Sequence, residues 1–302
     1  MAAIDFFTDT KEFRRFVKGW DAAQPLDELL PSFWAVSREI INMIGQSTWN
    51  TLKEYHDESP VQEDSDEVKA RAVEFVQFAL ANLMMNQHFV FIAVSRNKTD
   101  GDIYKYQLDK IEERYITAAW AAMNNLLAHL DTNALSFPGY TELPSYIERQ
   151  SLIISSYIEF EKYFGIDNSP WFFTRMVFLI KEVTADDIMP RIGTWDRIKE
   201  KPVIVDKVKR ALAYKTMFLA LDRFDFLSLP ATIRSQAGNE GSKTLQSRYS
   251  DEQAKQKLAD KLLDKAKEYF DDIEMLIKQL TTAGITSPVN PNSEYFGFYQ
   301  MT

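Results

Sequence analysis

Apolar residues recur along most of this chain at the spacing of an amphipathic helix. One stripe comprises Val68, Ala72, Phe75, Ala79 and Leu83. A second stripe comprises Leu258, Leu262, Ala266, Phe270, Ile273, Ile277 and Leu280. Steps of three and four residues place such side chains on one face of a helix, and that face has to be buried against another element. The pattern predicts a mainly α fold in which long antiparallel helices pack as bundles.

The same analysis predicts a series of helices with short connections. Their expected ranges are 10–17, 27–43, 48–55, 67–94, 108–126, 157–164, 174–189, 194–199, 202–226 and 258–280. Two apolar stretches, "IDFF" at 4–7 and "SLIIS" at 151–155, precede the first helix of each half and are expected to form short extended segments.

Short phrases recur in the same order in the two halves of the chain. Glu12-Phe13 matches Glu159-Phe160, and the Ile-Gly pair that ends at Gly45 matches the pair that ends at Gly193. A collinear set of this kind predicts a tandem duplication of a helical bundle. We therefore expect one unit at residues 1–140, a second at 141–284 and an extended C-terminal tail at 285–302.

Four of the repeated residues have predicted structural roles. Gly45 and Gly193 are expected to end a helix, because glycine adopts the positive φ angle that a helix terminus often needs. Trp49 and Trp195 follow them and are expected to pin the next short helix to the core of each unit. Core packing is preferred over contact with a partner for both tryptophans.

The tail has an unusual composition. Pro288 and Pro291 are followed by five large apolar or aromatic residues, Tyr295, Phe296, Phe298, Tyr299 and Met301. The prolines disfavour a helix, and the aromatic content disfavours a purely solvated end. The tail is expected to dock either on a neighbouring subunit or on the body of the same chain.

The composition disfavours several classes of protein. The 302 residues carry a net charge of −9 and no cysteine. The acidic balance disfavours a nucleic-acid binder, and the lack of cysteine excludes disulfides, thiolate chemistry and cysteine metal sites. No apolar run avoids charge for long enough to span a bilayer, and the first residues do not resemble a secretory signal. We expect a soluble protein made in the cytoplasm, with no membrane partner.

Candidate catalytic and metal-binding groups are few. The three histidines, His56, His88 and His129, lack the spacing of metal ligands and are interpreted as structural or surface residues. The acidic candidates are Asp186, Asp187, Asp222, Asp225, Asp271, Asp272 and Glu274. They do not form the Asp-Asp-x-x-Asp pattern that binds a magnesium diphosphate, and helix-surface charge is the preferred interpretation.

A glycine-containing stretch, "AGNEGSKT" at 237–244, also differs from a phosphate-binding loop. Ser242 separates Gly241 from Lys243, and a helix rather than a strand is expected before it. We predict no catalytic residue, no metal ligand and no cofactor. Two alternatives stay open, a helical enzyme with an unrecognised site and a cellular protein–protein scaffold. A cluster of Asp186, Asp187 and His88 in space would favour the enzyme.

The stretch "TDTKEFRRFVKGWDAAQPLDELLPSFWAVSREIINMIG" resembles the start of the head-completion, or head–tail connector, adaptor proteins of tailed phages. The matching positions are Lys11, Phe13, Phe16, Asp27, Leu30, Ala35, Ile40 and Gly45. The second half repeats the form at Phe160, Phe164, Phe173, Val177, Ile188 and Gly193. In length and doubled layout the chain is also similar to proteins from the structural-gene modules of Bacteroidetes phages and prophages.

The resemblance implies a structural virion protein without enzymatic activity. Copies would form a ring, of about twelve subunits, in the neck of the virion between the portal protein and the adjacent neck or tail protein. DNA would pass through the lumen of this ring without specific binding. A closed ring needs two different surfaces on each subunit, and two diverged copies of one bundle would supply them.

Overall fold

The computed structural model describes residues 4–18, 20–58, 66–97, 105–237 and 245–285. Most of these residues lie in helices, and no strand forms among them. The predicted mainly α class is therefore confirmed. The helices of the first half are α1 (Thr10–Phe13), α2 (Leu30–Ile44), α3 (Gln46–Glu58), α4 (Glu67–Asn97) and α5 (Lys105–Thr132).

Two short helices connect the halves, and the second half follows. The connecting helices are α6 (Pro138–Thr141) and α7 (Pro144–Gln150). The helices of the second half are α8 (Tyr157–Glu161), α9 (Pro170–Val183), α10 (Met189–Ile192), α11 (Pro202–Arg223), α12 (Ala231–Ala237) and α13 (Leu245–Ile285). A π-helical turn, Thr184–Ile188, joins α9 to α10.

Each half is organised around one long helix pair. In the first half α4 packs along α5, and α2 and α3 pack on α4. In the second half α11 packs along α13, and α9 packs on α11. Helix α5 also packs on α9, so the buried apolar side chains of both halves form one connected core. The long stripes predicted from the sequence are the faces that these pairs bury.

The first helix of each half has the same arrangement of caps. In α1 the backbone N–H of Glu12 donates to Asp9 Oδ1 at 2.7 Å, and its carboxylate accepts from the N–H of Thr8 at 2.8 Å. In α8 the N–H of Glu159 donates to Ser156 Oγ, and its carboxylate accepts from the N–H of Ser155. Both arrangements resemble a capping box, with the carboxylate accepting from the residue before the N-cap. The duplication itself stays a prediction.

The two predicted extended segments are wrong as strands. Residues 4–7 form a turn closed by the Phe7 N–H donating to the Ile4 carbonyl at 3.3 Å, with Phe6 at φ 69°. Residues 151–155 continue from α7 through similar turns. Among the described residues, neither segment pairs with another strand. The apolar side chains of Ile4, Phe6 and Phe7 are instead buried in the helical core.

The stretch predicted to separate the two units is folded and packed. The predicted boundary after residue 140 lies inside α6, and the side chains of Phe137 and Tyr140 are buried. Arg149 of α7 donates to Asp131 Oδ1 of α5 at 2.7 Å, and the Tyr140 hydroxyl donates to the same oxygen at 2.9 Å. Buried Arg149 thereby fastens the connection to the end of the first half.

Candidate functional site

A cleft of about 520 Å³, lined by both charged and apolar side chains, opens where the two halves meet. Its walls come from α2, α4, α5 and α9 and from the turn that follows α11. The lining residues are Glu39, Asn42, Met43, Asn86, Glu112, Ile116, Trp120, Arg175, Asp225 and Ser228. Three carboxylates face one guanidinium, so the cleft carries a negative surplus that favours a positively charged group.

Arg175 is held in this cleft by aromatic rings. Its guanidinium carbon lies 4.9 Å from the ring centroid of Trp171 and 4.9 Å from that of Phe224. Burial lowers the pKa of Arg175, and the charges of Glu39 and Asp225 offset part of that effect. The side chain stays cationic and in place because cation–π contacts favour this geometry.

Glu39 lies on the opposite wall of the cleft. The residue is exposed to water at the mouth of the cleft. The surrounding protein nevertheless desolvates its carboxylate and raises its pKa, and the charge of Arg175 opposes that rise. Close by, the buried Oδ1 of Asn86 has no hydrogen-bond partner within the described structure. The cleft therefore combines an acidic wall with an amide acceptor and an indole. This combination suits an ammonium or guanidinium group.

The contact between the halves behind the cleft is specific. The indole rings of Trp120 on α5 and Trp171 on α9 stack with centroids 4.1 Å apart. Asn124 Oδ1 accepts from the Ser169 hydroxyl at 2.7 Å and from the Trp171 N–H at 3.0 Å. Asn124, a residue of the first half, therefore helps to cap the N-terminus of α9, the helix of the second half that lines the cleft.

An apolar groove of about 410 Å³ lies elsewhere, between the start of α11 and the end of α13. It is lined by Lys201, Pro202, Val203, Ile204, Leu276, Gln279 and Leu280. Val203 is 63% exposed, and the neighbouring Met275 of α13 is 52% exposed. Large apolar side chains with this exposure mark a surface that another segment could cover.

The two glycines predicted to end helices both have positive φ. Gly45 follows α2 with φ 84°, and Gly193 follows α10 with φ 78°. Their surroundings differ. A Cβ atom on Gly45 would lie 2.6 Å from Leu143 Cδ2, whereas one on Gly193 would meet nothing within 4 Å. Gly45 therefore also permits a close approach of the connecting segment.

The two tryptophans that follow these glycines occupy unequal places. Trp49 on α3 is 2% exposed and meets the Phe6 ring edge-on at 4.8 Å. Trp195 is only half-buried and begins the 3-10 turn Trp195–Arg197, where the sequence predicts a short helix. The second half thus has a single turn where the first has the whole of α3.

The three histidines have structural surroundings. His56 lies 3.1 Å from Glu12 Oε1, and His129 Nε2 lies 2.8 Å from the Val68 carbonyl. His88 meets the edge of Trp20 at 5.4 Å, and burial lowers its pKa. Sequence reasoning placed each of them outside a metal site, and each contacts a residue of a separate segment of the chain.

The acidic candidates are dispersed over helix surfaces. Asp187 lies near Arg191 and Asp272 pairs with Lys207, whereas Asp225 lines the cleft. Among the described residues no three histidine or acidic side chains come close enough to hold a metal ion. Two further candidates, the stretch 238–244 and the aromatic tail 295–301, lie outside the described residues.

Sequence reasoning missed the cleft. It singled out none of Glu39, Arg175 and Trp171, because the cleft joins helices that are far apart in the chain. The alternation of Trp and Arg in "WFFTR" is the single local signal, since it places Trp171 and Arg175 one helical turn apart.

A model for a family of unknown function, DUF6712, matches residues 40–150 and 194–283. These segments cover more than half of the chain, and the chain belongs to that family. No curated protein and no solved structure matches the chain. None of the described helices is long and apolar enough to cross a membrane.

Proposed function

We propose that this member of the DUF6712 family is a structural virion protein of a tailed phage. In this proposal it forms a ring in the neck and joins the portal protein to the adjacent neck or tail protein. DNA passes through the lumen without specific binding. The mainly α fold and the resemblance of both halves to head–tail connector adaptors support this role.

The observation that carries the proposal concerns α2 and α9. These helices hold corresponding places in the two halves, and each exposes one large aromatic side chain. Trp34 on α2 is 64% exposed, and Phe178 on α9 is 52% exposed. Their surroundings differ, because Phe178 lies beside Phe224 and next to the Glu182–Arg223 ion pair. One subunit therefore exposes two aromatic side chains in unlike surroundings, and a head-to-tail ring contact requires two unlike surfaces.

The experiment introduces a charge on each surface separately. The unmodified chain should form a closed oligomer of one size, measured by native mass spectrometry at micromolar concentration. Trp34→Glu and Phe178→Glu should each yield monomers, because a carboxylate would be buried without a partner. Leu135→Glu, at a fully exposed position of the connecting turn, is the matched control and should leave the mass unchanged.

Mixing the two variants tests whether the contact is head-to-tail. Each variant retains one intact surface, so a mixture should give dimers with one copy of each and nothing larger. Homodimers of either variant would show a self-complementary contact and would contradict the ring. A virion role is tested independently by the genes that flank this one and by electron microscopy of particles. Flanking metabolic or regulatory genes would overturn it.

The alternative of a cellular scaffold makes a different prediction for the same sample. It expects a stable monomer that binds other proteins through an exposed apolar groove, and such a groove is present between α11 and α13. A monomeric mass for the unmodified chain, together with flanking cellular genes, would favour the scaffold over the neck ring.

A further inference from the structure

The apolar groove between α11 and α13 lacks a cover among the described residues. Val203 projects at its rim with 63% of its surface exposed, while Ile204 and Leu280 join its floor to the core. Lys201 is the only charged side chain of the lining. Exposed apolar surface of this kind is unfavourable in water unless something packs on it.

We propose that the groove holds the aromatic segment of the same chain, residues 295–301. This segment supplies five side chains that gain most from leaving water, Tyr295, Phe296, Phe298, Tyr299 and Met301. Two prolines precede it, which favour an extended backbone over a helix. An extended aromatic segment and an apolar groove of about 410 Å³ are complementary in chemistry.

The segment has the reach to enter the groove of its own chain. Leu280 lines the groove, and α13 ends at Ile285, which is about 8 Å further along the helix axis at 1.5 Å per residue. Residues 286–294 connect α13 to the segment and span up to about 30 Å when extended. That length exceeds the distance back to the groove several times over.

The same connection favours the chain's own segment over that of a neighbour. A short flexible connection holds a segment near its site at an effective concentration on the order of millimolar. Copies of the protein in a micromolar solution compete at a concentration about a thousandfold lower. The groove is therefore filled within one chain, and this inference does not require the proposed ring.

Charge at the rim supports the same occupant. Lys201 lies at the groove, and Arg197 donates to Thr281 Oγ1 at 2.8 Å beside the end of α13. Glu294 immediately precedes the aromatic segment and is the one charged residue between 286 and 302. Lys201 would supply a partner for its carboxylate as the aromatic side chains enter the groove.

The test uses introduced cysteines, because the chain has none of its own. Val203→Cys is combined with Gly297→Cys in one full-length variant and with Gln300→Cys in another. These substitutions keep all five apolar side chains of the segment. Positions 297 and 300 sample both sides of an extended backbone, since successive side chains point to opposite sides. Leu135→Cys, fully exposed and in the first half, replaces Val203→Cys in the controls.

A disulfide within one chain should form on mild oxidation in at least one Val203→Cys variant and in neither control. Non-reducing electrophoresis and peptide mass analysis identify it. A disulfide between chains would overturn the proposal in favour of a neighbour's segment. Equal reaction of the controls, or no disulfide in any variant, would also overturn it. Ring formation is tested with variants of Trp34 and Phe178. A negative result for the disulfide therefore does not change the outcome of the test for the neck ring.

Discussion

Trp120 and Trp171 stack with their ring planes at 26° and join the last helix of the first half to the first long helix of the second. Asn124, one helical turn after Trp120, accepts from the Trp171 N–H. The stack and the cap act on the same short stretch of α9. They make the junction between the halves a packed interface. They also fix the position of the Trp171 ring, against which the Arg175 guanidinium packs.

Trp171→Ala should destabilise the whole chain. The side chain is 2% exposed, and its loss leaves a cavity at the junction, with an expected cost of about 3–5 kcal/mol. The free energy of unfolding from urea titrations, followed by circular dichroism, measures the effect. Leu135→Ala is the control at a fully exposed position and should change it by less than about 0.5 kcal/mol. Equal effects would contradict an interface role for Trp171.

Gly45→Ala and Gly193→Ala should differ although both glycines end a helix. Each alanine would adopt an unfavourable positive φ, at a cost of about 1–2 kcal/mol. At Gly45 the added Cβ would also lie 2.6 Å from Leu143 Cδ2, so that side chain would have to shift and the expected cost is somewhat larger. Urea midpoints of the two variants provide the comparison. The double variant Gly45→Ala with Leu143→Ala should recover part of the difference.

Removing one partner of the ion pair between Arg149 and Asp131 should be costly. Asp131→Ala leaves a buried guanidinium without its carboxylate, which is expected to cost about 3–5 kcal/mol. The carboxylate and burial both raise the pKa of Tyr140, so Asp131→Ala should also bring the titration of that tyrosine closer to its ordinary value. Thermal unfolding and ultraviolet titration measure the two effects. A double variant with Arg149→Met should be more stable than Asp131→Ala alone.

The hydrogen bonds of Glu12 predict that the stability of the fold depends on pH. Burial raises the pKa of Glu12, but hydrogen bonds from Thr8, His56 and Gln77 together outweigh it and leave the pKa below 4.5. A carboxyl group with a lowered pKa stabilises the fold above the pKa of the unfolded chain. That contribution is lost as the pH falls through the lower, folded value.

Glu12→Gln should therefore cost about 1 kcal/mol at pH 7, with solvent screening of this partly exposed group included. The difference from the unmodified chain should vanish as the pH falls well below 4.5. Unfolding titrations across this range measure it. Glu200→Gln, at an exposed position before α11, is the control and should show no comparable dependence. A constant difference at all pH values would contradict the linkage.

The elements that the sequence predicted well are those that depend on residues close together in the chain. The stripes from Val68 and from Leu258 identified α4 and α13, because long amphipathic periods have few alternative structures. Gly45 and Gly193 were placed at helix ends for the same local reason. The short segments were predicted less well. Residues 4–7 form a buried turn instead of a strand, since their apolar side chains find a helical core and their backbone finds no partner strand.

The sequence by itself determined the long helices, their order and the capping chemistry at Glu12 and Glu159, because each depends on residues a few positions apart. Only the tertiary structure decided which helices meet across the halves. It brought Glu39 to Arg175 and Trp120 to Trp171, and it opened the groove beside Val203. Such contacts join residues distant in the chain, and their energies depend on packing that no local pattern encodes.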